Sequence, residues 1–283
     1  MFDPQELDRQ YNVRAALPDY AEYIQRWTAQ AQAARDSLRC EPDYYYGPGG
    51  QETLDIFPAR QANAPLLIFI DGGDWSSAPG DEKRDFAFLA PAFFDAGISL
   101  ALVKHASPRD VGLPEVVRQL LRAVVWSWHN ACDLGVDPQR LFVGGHAAGA
   151  HLAAMLLAAQ WSAYSRDLPD HLLRGGVCLS GLYDLVPPAR APFLRDALQL
   201  DEAAARHLSP VNYLPQRSVP LVTAVGGRES REYRRQNQLL AHAWAHCPVH
   251  DVAMPEHHHL SIVEALADRN SALFQATQQL IGI

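Results

Sequence analysis

Leu141-Phe142-Val143-Gly144-Gly145-His146-Ala147-Ala148-Gly149-Ala150-His151-Leu152 is the stretch that decides the fold. An apolar strand runs into glycine, and an Ala/Leu-rich helical segment leads out. Gly145-His146-Ala147-Ala148-Gly149 has the outline of a nucleophile elbow, Gly-x-Ser-x-Gly, in which a tight strand-to-helix turn exposes a reactive hydroxyl. Small residues at such a junction can also serve close packing alone. The strand before, the helix after and the later motifs in register favour the elbow. Ala147 has no hydroxyl and cannot attack anything. Either a serine has been replaced here, or the chain does something other than serine hydrolysis.

Outward from the elbow, strands and helices alternate. Pro65 to Ile70 is a continuous apolar run ending at Asp71-Gly72-Gly73, suited to a strand buried on both faces of a parallel sheet. Thr53 to Phe57 and Ile98 to Val103 read as strands before and after it. Leu113 to about Leu134 is a helix, with Val117, Leu120, Leu121, Val124 and Trp128 at helical spacing. Asp137-Pro138 then breaks the chain before a strand from Arg140 to Val143. Residues 176–180, 220–225 and 249–254 read as further strands, and about 230–246 and 270–280 as helices. This alternation predicts an α/β fold with a mostly parallel central sheet and helices on both faces. One domain is expected over 1–283. Residues 1–44 form a helical N-terminal cap, with Tyr20, Ile24 and Trp27 on one apolar stripe. The irregular segment 185–216 is expected to arch over the carboxyl ends of the strands as a lid or cap insertion.

Composition narrows the partners. The chain has 32 acidic against 24 basic residues, a formal charge of −8, which argues against nucleic acid or an anionic membrane. Cys40, Cys132, Cys178 and Cys247 are scattered without a CxxC pair, so a reducing cytoplasm is expected, with Cys178 buried and inert. The first residues lack the basic and apolar regions of a signal peptide, and no apolar stretch is long enough to span a bilayer. His257, His258 and His259 cannot all face one ion from a strand. With His105, His146 and His151 scattered elsewhere, no metal site is expected. His151, one helical turn beyond Ala147, reads as a packed, hydrogen-bonded residue.

At the elbow, and at Asp71-Gly72-Gly73-Asp74-Trp75, the chain resembles the α/β-hydrolase fold. Within that fold it is similar to the kynurenine formamidase and small carboxylesterase branch. That branch shows His-Gly-Gly-x-Trp after an early strand and Gly-His-Ser-Ala-Gly-Ala-His-Leu at the elbow. Ser180-Gly181-Leu182-Tyr183-Asp184-Leu185 resembles its strand-end motif. The stretch from Gly226 to Gln236 resembles its acid-bearing loop, and His259-Leu260-Ser261-Ile262-Val263 its histidine loop. The likeness runs from about residue 45 to the end, and more loosely over the N-terminal helices.

The resemblance implies a triad of residue 147 as nucleophile position, Glu229 as acid and His259 as base, in the chain order of this fold. It also implies an oxyanion hole from the N–H groups of Gly72, Gly73 and Ala148. Asp71, Asp74, Trp75, His105 and His146 would wall the substrate pocket. No metal or organic cofactor is implied, and the partner would be a small ester or aryl formamide, with a homodimer admitted. Asp184 competes for the acid role, and His257 and His258 for the base. Glu229 could instead be a helix-start acid and His259 one of a surface cluster. Asp71 in place of the motif's histidine, with Asp74 nearby, brings two carboxylates toward a site for a developing anion.

Three readings stay open at this stage. The first is a serine hydrolase whose nucleophile is absent from this chain. The second is a non-hydrolytic enzyme using a His–Glu pair as general base for proton transfer, elimination or cyclisation. The third is a silent binding protein that retains the pocket.

Overall fold

The computed structural model describes residues 3–71, 73, 75, 83–215 and 217–282. Eight strands form one sheet: β1 (Glu41–Tyr45), β2 (Thr53–Phe57), β3 (Ala64–Ile70), β4 (Ser99–Lys104), β5 (Val136–His146), β6 (Gly176–Leu179), β7 (Leu221–Gly226) and β8 (Val249–Met254). Their spatial order is β1-β2-β4-β3-β5-β6-β7-β8. β2 runs antiparallel to both β1 and β4, while β3 to β8 pair in parallel. The expected α/β architecture, with a mostly parallel sheet, is the one observed.

The period of two along each central strand distributes side chains to two cores. On β3, Leu66, Ile68 and Ile70 pack with the helices Leu113–His129 and Ala148–Leu157. Leu67 and Phe69 face the other way, onto Phe86, Phe93 and Phe274. Every residue of β3 is buried, as a run covered on both faces requires.

Three details differ from the sequence expectation. Pro138 lies within β5, whose ladder to β3 is irregular: Ala64 pairs with Val136 and Leu66 with Leu141. The extra residues of β5 bulge there, so proline's missing N–H interrupts no regular pairing. The expected cap segment ends in strand β1, which carries Pro42 at the sheet edge and Asp43 at φ 55. A short helix, Ser261–Ala267, also follows the histidine loop.

The N-terminal helices Pro4–Tyr11 and Tyr20–Ser37 are pinned over the carboxyl end of the sheet by buried and part-buried polar contacts. Tyr11 Oη donates to Glu232 Oε2 at 2.7 Å, the Phe193 N–H donates to Asp8 Oδ1 at 2.6 Å, and Trp27 Nε1 donates to Glu264 Oε1 at 3.0 Å. Residues 185–215 carry short helices, among them Pro192–Leu198 and Glu202–His207. Among the described residues no helix is long and apolar enough to cross a membrane.

Candidate active site

The elbow is a turn held by glycines that could not be anything larger. A Cβ on Gly149 would lie 2.2 Å from the carbonyl oxygen of Ile70 and 2.3 Å from that of Asp71. A Cβ on Gly145 would lie 2.4 Å from the Gly149 carbonyl. These approaches let the helix Ala148–Leu157 begin directly against the end of β3. Gly149→Ala is therefore expected to destabilise the fold by about 3 kcal/mol through overpacking against backbone that cannot swing aside. An unchanged urea midpoint would show that the elbow helix can shift at no expense.

Between the glycines, Ala147 adopts φ 49 and ψ −112 and is buried. A side chain there is strained by about 1–3 kcal/mol, the kind of conformation that functional sites retain. Ala147→Gly should stabilise the chain by about 1 kcal/mol, the strain relief exceeding glycine's greater unfolded entropy. A lower melting temperature for that variant would mean that the Ala147 methyl packs more favourably than the strain is unfavourable. The Ala147 N–H donates to Leu179 O at 2.9 Å, tying the elbow to the end of β6. Residue 147 caps a helix whose first N–H groups, Ala148's included, have no partner within the helix.

Of the acid and base candidates, the structure brings Glu229 and His259 together. His259 Nδ1 lies 2.7 Å from Glu229 Oε2, and both residues are buried. A carboxylate only accepts, so Nδ1 carries a proton, and in the neutral ring the lone pair is on Nε2. The two loops meet through backbone: the Arg228 N–H donates to His257 O at 3.0 Å. Glu229's second oxygen, Oε1, accepts from the Gly226 N–H at 2.7 Å and the Ser180 hydroxyl at 2.6 Å. The other candidates point elsewhere. Asp184 Oδ1 accepts from the Val186 N–H at 3.1 Å, His257 Nδ1 contacts Ser261 O at 3.2 Å, and His258 Nε2 contacts the Tyr23 hydroxyl at 3.1 Å.

The His259 ring lies between two others, with centroids 4.4 Å from His146 and 4.4 Å from Tyr233. Burial holds His146 well below the ordinary histidine range, and its neighbour His259 adds to that. His151 donates Nε2–H to Leu208 O at 2.7 Å, and burial brings it down to about 4. It is thus the neutral packed residue expected. Burial pushes the Cys178 thiol up to about 12.

A pocket opens above Ala147, lined by Gly73, Trp75, His146, Ala148 and His259. Its far walls come from Tyr11, Arg14, Tyr20 and Trp27 of the N-terminal helices and from Phe193 and Leu194 of segment 185–216. Among the described residues, the buried Trp75 Nε1 and His146 Nε2 have no hydrogen-bond partner. Asp71 and His105, expected in the pocket wall, are not among its described lining residues. They leave the adjacent parallel strands β3 and β4 and face each other, Oδ1 to Nε2 at 3.9 Å. Burial lowers His105 as well. Gly72 and Asp74 lie outside the described residues.

The sequence reading missed Ser180, Tyr233 and the N-terminal residues Arg14 and Tyr11. Ser180 and Tyr233 stood inside motifs already singled out. The N-terminal residues had no signal beyond the Tyr20–Trp27 stripe. Among the described residues no group of three His, Cys, Asp or Glu side chains is gathered to hold a metal ion.

The BD-FAE family matches residues 54–168, which include β3 to β5, all of β2 but Thr53, and the elbow. A kynurenine formamidase of Salmo salar is 27% identical over 99% of this chain and 94% of its own length. One of Danio rerio is 29% identical over 89% and 85%. A crystal structure of a proposed thioesterase from Silicibacter sp. TM1040 superposes with TM-score 0.84 and 28% identity, covering 99% of this chain and 100% of that one. The chain has the α/β-hydrolase fold, and within that fold it is similar to kynurenine formamidases and small esterases.

Proposed function

We propose that this chain is built as a serine-hydrolase site for a small ester or aryl formamide, and that hydrolysis belongs to its form with serine at residue 147. The observation that carries this reading is Ala147 itself. A residue with no hydroxyl is held in the strained elbow conformation, beneath a His259–Glu229 pair whose tautomer leaves a lone pair on Nε2. In the serine form His259 takes the hydroxyl proton, Glu229 steadies the resulting imidazolium, and the Ala148 and Gly73 N–H groups receive the oxyanion. The rings of Tyr11, Tyr20 and Trp27 suit an aryl group. The names of the relatives, kynurenine formamidase and esterase, support the same substrate range.

As it stands, the chain holds its ligand without acyl transfer. The test compares it with Ala147→Ser on phenyl acetate and formanilide. A specific observation favours a second reading: the His–Glu pair keeps its geometry with no hydroxyl to deprotonate. On that reading His259 takes a proton from the substrate itself. Failure of serine to restore turnover, together with His259-dependent turnover of a substrate needing only a base, would select it.

A further inference from the structure

We propose that Ser180 is a positioning residue for the Glu229–His259 pair, an assignment that rests on the reading of that pair as acid and base. Ser180 is completely buried, follows β6 directly, and adopts φ 50. Left-handed backbone is unfavourable for a residue with a Cβ and free of that penalty for glycine. Glycine would adopt this backbone without that penalty, yet a serine occupies it and its hydroxyl is used. Its N–H donates to Ala224 O at 2.9 Å, which fixes it to the end of β7, the strand that leads into the acid loop. From there Oγ donates to Glu229 Oε1 at 2.6 Å.

The need for such an anchor follows from the acid. Glutamate has one more rotatable bond than aspartate, so its carboxylate is located less firmly by its own backbone. Gly226 N–H and Ser180 Oγ–H together occupy Oε1, which turns Oε2 toward His259 Nδ1. Removing the hydroxyl leaves one donor, in line with the carboxylate's own loop, about which the arm can pivot. Hydrogen bonds to a charged group are the strong ones in a buried site.

The experiment uses Ser180→Gly and Ser180→Ala, each in the chain as it is and in the Ala147→Ser form. Glycine relieves the left-handed backbone and alanine retains it, while both delete the hydroxyl, so the stability effects diverge and the effect on the pair does not. In the chain as it is, the low-field proton resonance of His259 Nδ1–H is expected to broaden and exchange with solvent in both variants. In the serine form kcat should fall about ten- to a hundredfold with KM unchanged. An unaltered resonance in a folded Ser180→Gly protein overturns the proposal, as does an unaltered kcat. If Ala147→Ser proves inactive, the hydrolase reading fails and the resonance still decides the role of Ser180. If one variant does not fold, the other carries the same measurement.

Discussion

Ala147→Ser is expected to turn this chain into an acyl-transfer enzyme, raising turnover of phenyl acetate by a factor on the order of 10^5 to 10^6. That gain corresponds to roughly 7–8 kcal/mol of transition-state stabilisation. The size is large because the other parts act as a unit and are already in place. The elbow dihedrals are those of a nucleophile turn, the Cβ of Ala147 is the Cβ of the serine, and only Oγ is added. The Ala147 N–H is held by Leu179 O, so the turn has no reason to relax when the hydroxyl arrives. Stopped-flow release of phenol should show a burst of one equivalent per chain, followed by slower deacylation. Turnover within tenfold of the alanine chain, without a burst, would defeat the hydrolase reading.

Glu229→Gln in that serine form is expected to lower kcat by about 10^4 while leaving the fold and KM nearly intact. The direction follows from the two groups at Oε1. Gly226 presents a backbone N–H, which can only donate, so a glutamine must place its amide oxygen there. Its amide nitrogen then faces His259 Nδ1 and donates to it, which forces the ring proton onto Nε2. The base thereby loses the lone pair that receives the serine proton. Unlike deletion of the acid, this substitution keeps shape and hydrogen-bond count, so circular dichroism and melting should barely change. A loss smaller than about tenfold would mean that His259 is not the base, since a base in the wrong tautomer cannot keep its rate.

Much of the architecture was legible beforehand. The continuous apolar runs at β3 and β4 and the elbow flanked by glycines specify a parallel sheet, because burial on both faces leaves no polar alternation. β1 was not legible. Its Pro42 and Asp43 disfavour a strand, and edge pairing with β2 overrides that local preference. Pro138 misled for a related reason, since a local break signal takes no account of a bulge that accommodates it.

For the site, sequence by itself determined which residue types the elbow, acid loop and histidine loop could offer, and that residue 147 has no hydroxyl. It favoured Glu229 as acid and His259 as base, with Asp184, His257 and His258 as competitors. Only the tertiary structure shows which of these side chains meet, because that depends on contacts across loops far apart in sequence. His257 and His258 turn to Ser261 and Tyr23, and His259 alone of the three reaches a carboxylate, that of Glu229. The same holds for Ser180, whose hydroxyl matters only because β6 and β7 end side by side, and for the N-terminal aromatics that roof the pocket. Hydrogen bonds act over about 3 Å, a separation that local sequence patterns do not encode for residues brought together by a sheet.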